Sequence, residues 1–174
     1  MHSDEREYCA RCGGRLEPRE GVPHRLCLAC GEINYRNPAV GVAVVLLQGD
    51  SILLGRRNRG PWSGLWCIPC GYLEWDEDVR DGARREMKEE TGLDVELIEL
   101  FHAYSDPKRD TRKHTISTVF IGRASGTPTG GDDAARCLVC TPEELPARLV
   151  SDHALMVSDY QTYKRTGKRP PPKR

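Results

Sequence analysis

The apolar positions of this chain change period from one stretch to the next. AVGVAVVLL (39–47) is a β-branched run that predicts a buried strand. Gly49-Asp50 supplies a turn, and SILLGRR (51–57) reads as the hairpin partner. NRGPWSG (58–64) is a loop by composition. Over 78–91 the period lengthens, with Val79, Ala83, Met87 and Glu90 recurring about once per turn, and Gly92 ends the predicted helix. Further strands are expected at 95–104, 114–123 and 137–140. TPEELPARL (141–149) suits a short turn or helix, with Thr141 as a cap and Pro142 at its first position. A closing helix over 152–164 carries Leu155, Met156, Asp159 and Tyr163. This order predicts an α+β domain.

Both ends depart from that pattern. Residues 9–30, CARCGGRLEPREGVPHRLCLAC, are rich in Gly, Pro and charge and cannot bury a core of their own, so something else must hold them. Asn37-Pro38 marks a break, because the residue before proline leaves helical space. The tail KRTGKRPPPKR is basic and proline-rich, which predicts disorder. The expected organisation is a small N-terminal module over 1–36, a main domain over 37–163 and a disordered tail over 164–174.

Cysteine spacing says what holds the first module. Cys9, Cys12, Cys27 and Cys30 form C-x2-C-x14-C-x2-C, near the spacing of a four-thiolate zinc ribbon. Gly13 and Gly31 follow the second cysteine of each pair and permit tight turns. Four thiolates close the zinc coordination sphere, so the site is structural. Two disulfides are the alternative, but the N-terminus lacks the apolar core of a signal peptide, and the expectation is a reducing cytoplasm. No stretch approaches the roughly 18 apolar residues of a membrane helix. The 26 basic and 26 acidic residues cancel, which disfavours nucleic acid as a partner.

Four other cysteines, Cys67, Cys70, Cys137 and Cys140, form two more Cys-x-x-Cys pairs. On one extended strand the Cα atoms of such a pair lie about 10 Å apart, too far for a disulfide without a bend at Pro69. A second zinc site is the alternative; packing as small buried residues is the reading preferred here.

Past Gly71 the chemistry becomes specific. Glu86, Glu89 and Glu90 stand at i, i+3 and i+4, so one helix face presents three carboxylates. Two such charges about 6 Å apart repel by roughly 3 kcal/mol at an effective dielectric near 20, which a hard divalent cation would reverse. A solvated face paired with Arg84, Arg85 and Lys88 is the alternative. The complete pattern decides between them. Gly71, Glu77, Arg85, Glu86, Met87, Glu89, Glu90, Gly92 and Leu93 match every defined position of G-x5-E-x7-R-E-U-x-E-E-x-G-U, where U is aliphatic. The stretch therefore resembles the box of the Nudix hydrolases. GLWCIPCGYLE resembles the approach to that box, and YSDPKRDTRKHTIS (104–117) resembles a segment of bacterial ADP-ribose-type members. The cysteine-rich lead-in resembles zinc-ribbon Nudix proteins, among them NADH pyrophosphatases.

The resemblance implies a Nudix α/β/α sandwich with a mixed sheet, preceded by the ribbon. It implies Mg2+- or Mn2+-dependent hydrolysis of a nucleoside diphosphate linked to another group, with ADP-ribose giving AMP and ribose 5-phosphate as the leading expectation. Carried over position by position, Glu86, Glu89 and Glu90 are metal ligands, Glu77 and the Gly71 carbonyl further candidates, and Arg85 the side chain that orients a carboxylate. The general base is Glu89 or Glu90, or one of Asp132 and Asp133 in the loop GTPTGGDDA (126–134). Arg57, Trp66, Arg109, Arg112, His114 and Asp133 are candidate substrate contacts; Trp62, Tyr72 and Phe101 offer further rings for stacking. The S-Q-P-W-P-F-P-x-S segment of NADH pyrophosphatases has no counterpart here, which favours ADP-ribose over NADH and leaves FAD as a competitor. Cleansing of damaged nucleoside triphosphates would use the same chemistry, and a non-catalytic sensor with a nucleic-acid-binding ribbon is the alternative of another class. The resemblance also implies a homodimer.

Overall fold

The computed structural model describes residues 6–131 and 134–171. Chain contacts divide it into two compact units, Met1–Pro38 and Ala39–Arg174. In the first, β1 (Leu16–Pro18), β2 (Arg25–Cys27) and β3 (Ile33–Asn34) form a small antiparallel sheet. Among the described residues its buried apolar centre is Cys9, Leu16 and Cys27, as expected of a module with too little core to hold itself.

The second unit is a mixed sheet with one helix on each face. β4 (Ala39–Gln48) and β9 (Thr115–Arg123) run parallel, and every other pairing is antiparallel, in the order β10–β5–β4–β9–β8. β5 is Ser51–Arg57, β8 Glu96–Tyr104 and β10 Ala134–Cys140. Alternate residues of β4 serve opposite cores. Val42, Val44 and Leu46 meet Ala83 and Met87 of α1 (Val79–Thr91), while Ala43 and Val45 meet Met156, Val157 and Tyr160 of α2 (His153–Thr166). Burial on both faces is why β4 reads as a continuous apolar run. Asp78 caps α1 by accepting the Arg80 N–H at 2.8 Å, and Gly92 ends the helix at φ 72°.

The site depends on a gap in this sheet. β4 and β5 pair only beside their turn, at Leu47–Ile52 and Gln48–Ser51, and then separate. Two short strands fill the wedge: β6 (Trp66–Cys67) pairs with β5, and β7 (Cys70–Tyr72) with the start of β4. Ile68 and Pro69 carry the chain across, with the Pro69 carbonyl accepting the Val44 N–H at 3.1 Å. Cys67 and Cys70 therefore do not share one extended strand, and the separation expected from strand rise does not apply to them. The preceding loop closes on itself, Gly64 N–H donating to Arg57 O at 2.8 Å and Arg57 N–H to Leu65 O at 3.0 Å.

The closing helix extends past its expected end at 164, and the tail expected to be disordered is described as far as residue 171. α2 continues to Thr166, Gly167 ends it in the left-handed region, and Arg169 donates to the carbonyls of Leu100 and Phe101 and to Glu99. The exposed carbonyls of the edge strand β8 give a basic residue something to bind, which composition alone does not reveal. No helix among the described residues is long and apolar enough to cross a membrane.

Candidate active site

A cavity of about 370 Å³ opens where β7, the carboxylate face of α1 and the 109–117 segment meet. Gly71, Arg85, Glu86, Glu89 and Glu90 all line it. Arg85 organises the acidic groups. Its Nε and Nη2 donate to both oxygens of Glu77 at 2.8 Å each. Its Nη1 reaches Glu86 at 2.9 Å and Glu89 at 3.0 Å, and Nη2 also reaches the Tyr72 carbonyl at 3.0 Å. Only the planar fork of arginine can satisfy so many acceptors at once. Held this way, Glu77 stays below the usual carboxylate range and the Arg85 pKa is raised, in both cases chiefly by their mutual hydrogen bonds.

The carboxylates nearer the sheet are shifted the other way. Burial raises Glu86 despite its bond to Arg85. Glu90 is only 5% exposed, and burial, with the Cys70 thiol and Glu86 close by, pushes its carboxyl to about 9. Its Oε2 accepts the Cys70 N–H at 2.9 Å. A buried carboxyl disfavoured as an anion becomes favourable beside a cation, and the donors here are all hard oxygens, so the residues fit Mg2+ or Mn2+. Without an ion, no trio of carboxylates among the described residues closes to within 4.8 Å.

Gly71 is what lets helix and strand approach. A Cβ on it would stand 1.9 Å from the Glu86 carboxyl carbon. The loop after β9 crosses the end of α1 in equally close contact, since a Cβ on Gly131 would meet the Glu89 carbonyl at 1.8 Å. Asp132 and Asp133, candidates for base and substrate contact, lie outside the described residues.

The expected substrate contacts divide. Arg57, Arg109 and Arg112 line the cavity. Trp66 does not; it packs against the core cluster that includes Met156, Val157 and Tyr160 of α2. His114 is absent from the lining as well, its Nε2 lying 3.0 Å from the Ser105 carbonyl. Phe101 is core. Trp62 and Tyr72 are the rings that reach the cavity, with the Arg112 guanidinium 4.3 Å from the Trp62 ring centroid and Lys113 Nζ 4.1 Å from that of Tyr72.

Arg109 is not a loose cationic arm. It forms a two-pronged ion pair with Asp152, 2.8 Å on each prong, at 6% and 18% side-chain exposure. It also donates to Ser117 Oγ at 2.8 Å. Beside it Ser151 adopts φ 48°, the one positive-φ residue other than glycine among the described residues. Such strain gathers at sites whose surroundings dictate the backbone. Asp110, Thr115, Ser117, Ser151 and His153 complete this wall; the first three lie in the 104–117 segment, and no local motif singles out Ser151 or His153.

In the N-terminal unit the four cysteine sulfurs all lie within 4.8 Å of one another, with Cys9–Cys30 at 3.8 Å and Cys12–Cys27 at 3.5 Å. All four are free thiols rather than disulfides. Gly13 and Gly31, at φ 73° and 75°, donate back to the Cys9 and Cys27 carbonyls and close the two expected turns. Four convergent sulfurs fit a tetrahedral thiophilic ion such as zinc.

Comparison with known proteins agrees with this geometry. Residues 36–160 match the family model described as the NUDIX domain. An ADP-ribose pyrophosphatase of Methanocaldococcus jannaschii is 38% identical over 131 residues, 75% of this chain and 77% of that protein. An NAD-capped RNA hydrolase NudC of Stutzerimonas stutzeri is 32% identical over 91 residues, 52% of this chain but only 33% of the relative. Among solved structures, a NUDIX hydrolase from Nitrosomonas europaea superposes with a TM-score of 0.78 at 27% identity, covering 94% of this chain and 95% of its own. The chain belongs to the Nudix family of hydrolases.

Proposed function

We propose that this chain hydrolyses the pyrophosphate bond of ADP-ribose, giving AMP and ribose 5-phosphate, with Mg2+ or Mn2+ held by Glu86, Glu89, Glu90 and the Gly71 carbonyl. The observation that carries the reading is the Arg85 clamp, which gathers the acidic face of α1 over Gly71 at the mouth of a cavity. When bound, the divalent ion supplies charge neutralisation of the diphosphate and acidifies the attacking water.

The chain's own residues do the rest. Arg85 fixes the rotamers of Glu86 and Glu89, and Glu77, with both oxygens on Arg85, holds that guanidinium in place. Glu89 is the most exposed of the three carboxylates, at 48%, and we assign it the acceptance of the proton from water. Arg57 and Arg112 line the cavity and suit phosphate oxygens, Arg112 being paired with Asp110 yet 39% exposed. Trp62 and Tyr72 offer flat faces on which a purine stacks. Arg109, tied to Asp152, shapes the wall rather than reaching for phosphate. The archaeal ADP-ribose pyrophosphatase, matched over three quarters of both chains, supports the choice of substrate.

A second reading, cleavage of an NAD-like pyrophosphate, is favoured by the likeness to the NAD-capped RNA hydrolase NudC, of which this chain spans a third. We further infer that the four-cysteine cluster holds structural zinc. The test is a product assay over ADP-ribose, NADH, FAD and 8-oxo-dGTP in Mg2+ or Mn2+. Release of AMP from ADP-ribose at the highest kcat/KM is expected. Preference for NADH or FAD, release of inorganic pyrophosphate from the triphosphate, or binding without turnover overturns the assignment.

A further inference from the structure

The bend at Ile68–Pro69 brings together a second group of metal-binding atoms. Cys67 Sγ, Cys70 Sγ and a ring nitrogen of His153 all lie within 4.8 Å of one another. The four ribbon sulfurs meet the same separation. Cys67 and His153 are buried, at 2% and 6% exposure, and Cys70 is partly buried. His153 is the first residue of α2, so the cluster joins β6, β7 and a helix more than eighty residues away in sequence.

We propose that Cys67, Cys70 and His153 form a second zinc site, distinct from both the ribbon and the carboxylate face of α1. The donor set suits zinc in kind: two soft thiolates and one imidazole, with no hard oxygen among them. Charge suits it as well. Two thiolates neutralise a divalent cation, so the loaded cluster carries no net charge beside the buried Cys67 and His153, where an unbalanced ion would be costly. The imidazole is poised as a ligand, because the Ile68 N–H donates to His153 Nδ1 at 3.1 Å and that nitrogen therefore carries a lone pair instead of a proton. Binding there exchanges one backbone hydrogen bond, a small term, for coordination shared with two thiolates, a large one.

Three protein ligands leave a fourth position. Cys70 and His153 line the cavity, while Cys67 lies behind it, so the open position faces the cavity. Glu86 and Glu90 stand on that side and favour a cation; Arg57 and Arg109 oppose it. The site braces the strand that presents Gly71 and the Cys70 N–H that Glu90 accepts. Zinc there would act as a clamp between α2 and the catalytic strand.

Metal content of the full chain tests this, after purification under reductant, zinc loading and gel filtration. Wild type is expected to retain one zinc more than either Cys67→Ser or His153→Gln, about two ions per chain against one. Cys137→Ser, which removes a cysteine outside the cluster, should match wild type. Cobalt substitution gives a second readout, since the wild type should show thiolate-to-metal absorption in excess of that of His153→Gln. Equal zinc in wild type and both cluster variants overturns the proposal. So does a wild-type chain whose mass under non-reducing conditions shows Cys67 and Cys70 joined as a disulfide that excludes the metal. If one variant fails to fold, the other carries the comparison.

Discussion

The carboxylate of Glu86 lies directly over the Cα of Gly71: a methyl group there would stand 1.9 Å from the carboxyl carbon and 2.0 and 2.1 Å from its oxygens. Any side chain at 71 must push α1 off the sheet or turn Glu86 away. Gly71→Ala should therefore lower turnover by about 100-fold, the effect of displacing a reacting group by an ångström or so. Circular dichroism should show the variant folded. A variant that turns over like wild type would show that Glu86 can leave its place without cost.

Arg85 serves three carboxylates and a carbonyl at once. Lysine keeps the charge but offers one compact donor group. Arg85→Lys should cost roughly 10- to 100-fold in activity, as loss of a ligand-orienting partner does. Glu90→Gln, which removes a proposed metal ligand, should cost more than 100-fold. Steady-state kinetics over a range of Mg2+ separates the two, since excess metal should recover part of the Arg85→Lys loss and little of the Glu90→Gln loss.

The Arg109–Asp152 pair is nearly dry, so removing one partner strands the other. Asp152→Ala should destabilise the fold by about 3–5 kcal/mol, read from the denaturant midpoint. Replacing both residues with apolar ones of similar size should recover much of that loss. If the single variant unfolds like wild type, water reaches this pair more freely than its burial indicates.

Tyr104 donates to Asp159 at 2.9 Å, and burial, then this bond and the nearby charge, hold its pKa above the ordinary value of 10.0. The sign follows from proton counting. Above pH 10 the unfolded chain releases this proton while the folded chain retains it, so folding stability falls as pH rises. The effect is absent at neutral pH. Tyr104→Phe should flatten the alkaline limb of a stability–pH curve and lower stability near pH 7 by about 1 kcal/mol. An unchanged alkaline limb would assign the effect to Tyr160 and Tyr163, whose pKa values are also raised.

Chelation under reductant should release the ribbon's ion and erase hydrogen-exchange protection in β1–β3, because that unit buries too little to fold alone. Protection that survives metal removal would overturn the zinc assignment.

How much of this was legible in the sequence depends on the range of each interaction. α1 and its three carboxylates were readable because their contacts are local and the 3.6-residue period is strong. β4 was readable because a strand buried on both faces has no polar side. The wedge was not. WCIPCGY looks like one strand, and only the parting of β4 from β5 makes it two short ones with a bend between them. Read as one extended strand without that bend, Cys67 and Cys70 look too far apart to cooperate. Trp62 rather than Trp66 lines the cavity, and nothing local to either residue distinguishes the two. Arg109 drew attention as a cation in a telling motif, yet its partner Asp152 is forty-three residues away. Nothing local predicts so distant a pairing.

The self-closed loop between β5 and β6 has a consequence for how such a molecule can change. Its backbone bonds join Arg57 to Gly64 and Leu65, so residues 58–63 hang from a fixed neck. Trp62, at the cavity, belongs to this span, whereas Gly71 and the glutamates belong to strand and helix. Insertions or exchanges within the span can reshape what the cavity admits while the hydrolytic groups stay where they are. Trp62 thus sits on a stretch of chain apart from Gly71 and the glutamates of α1, and a lineage could revise the one without rewriting the other.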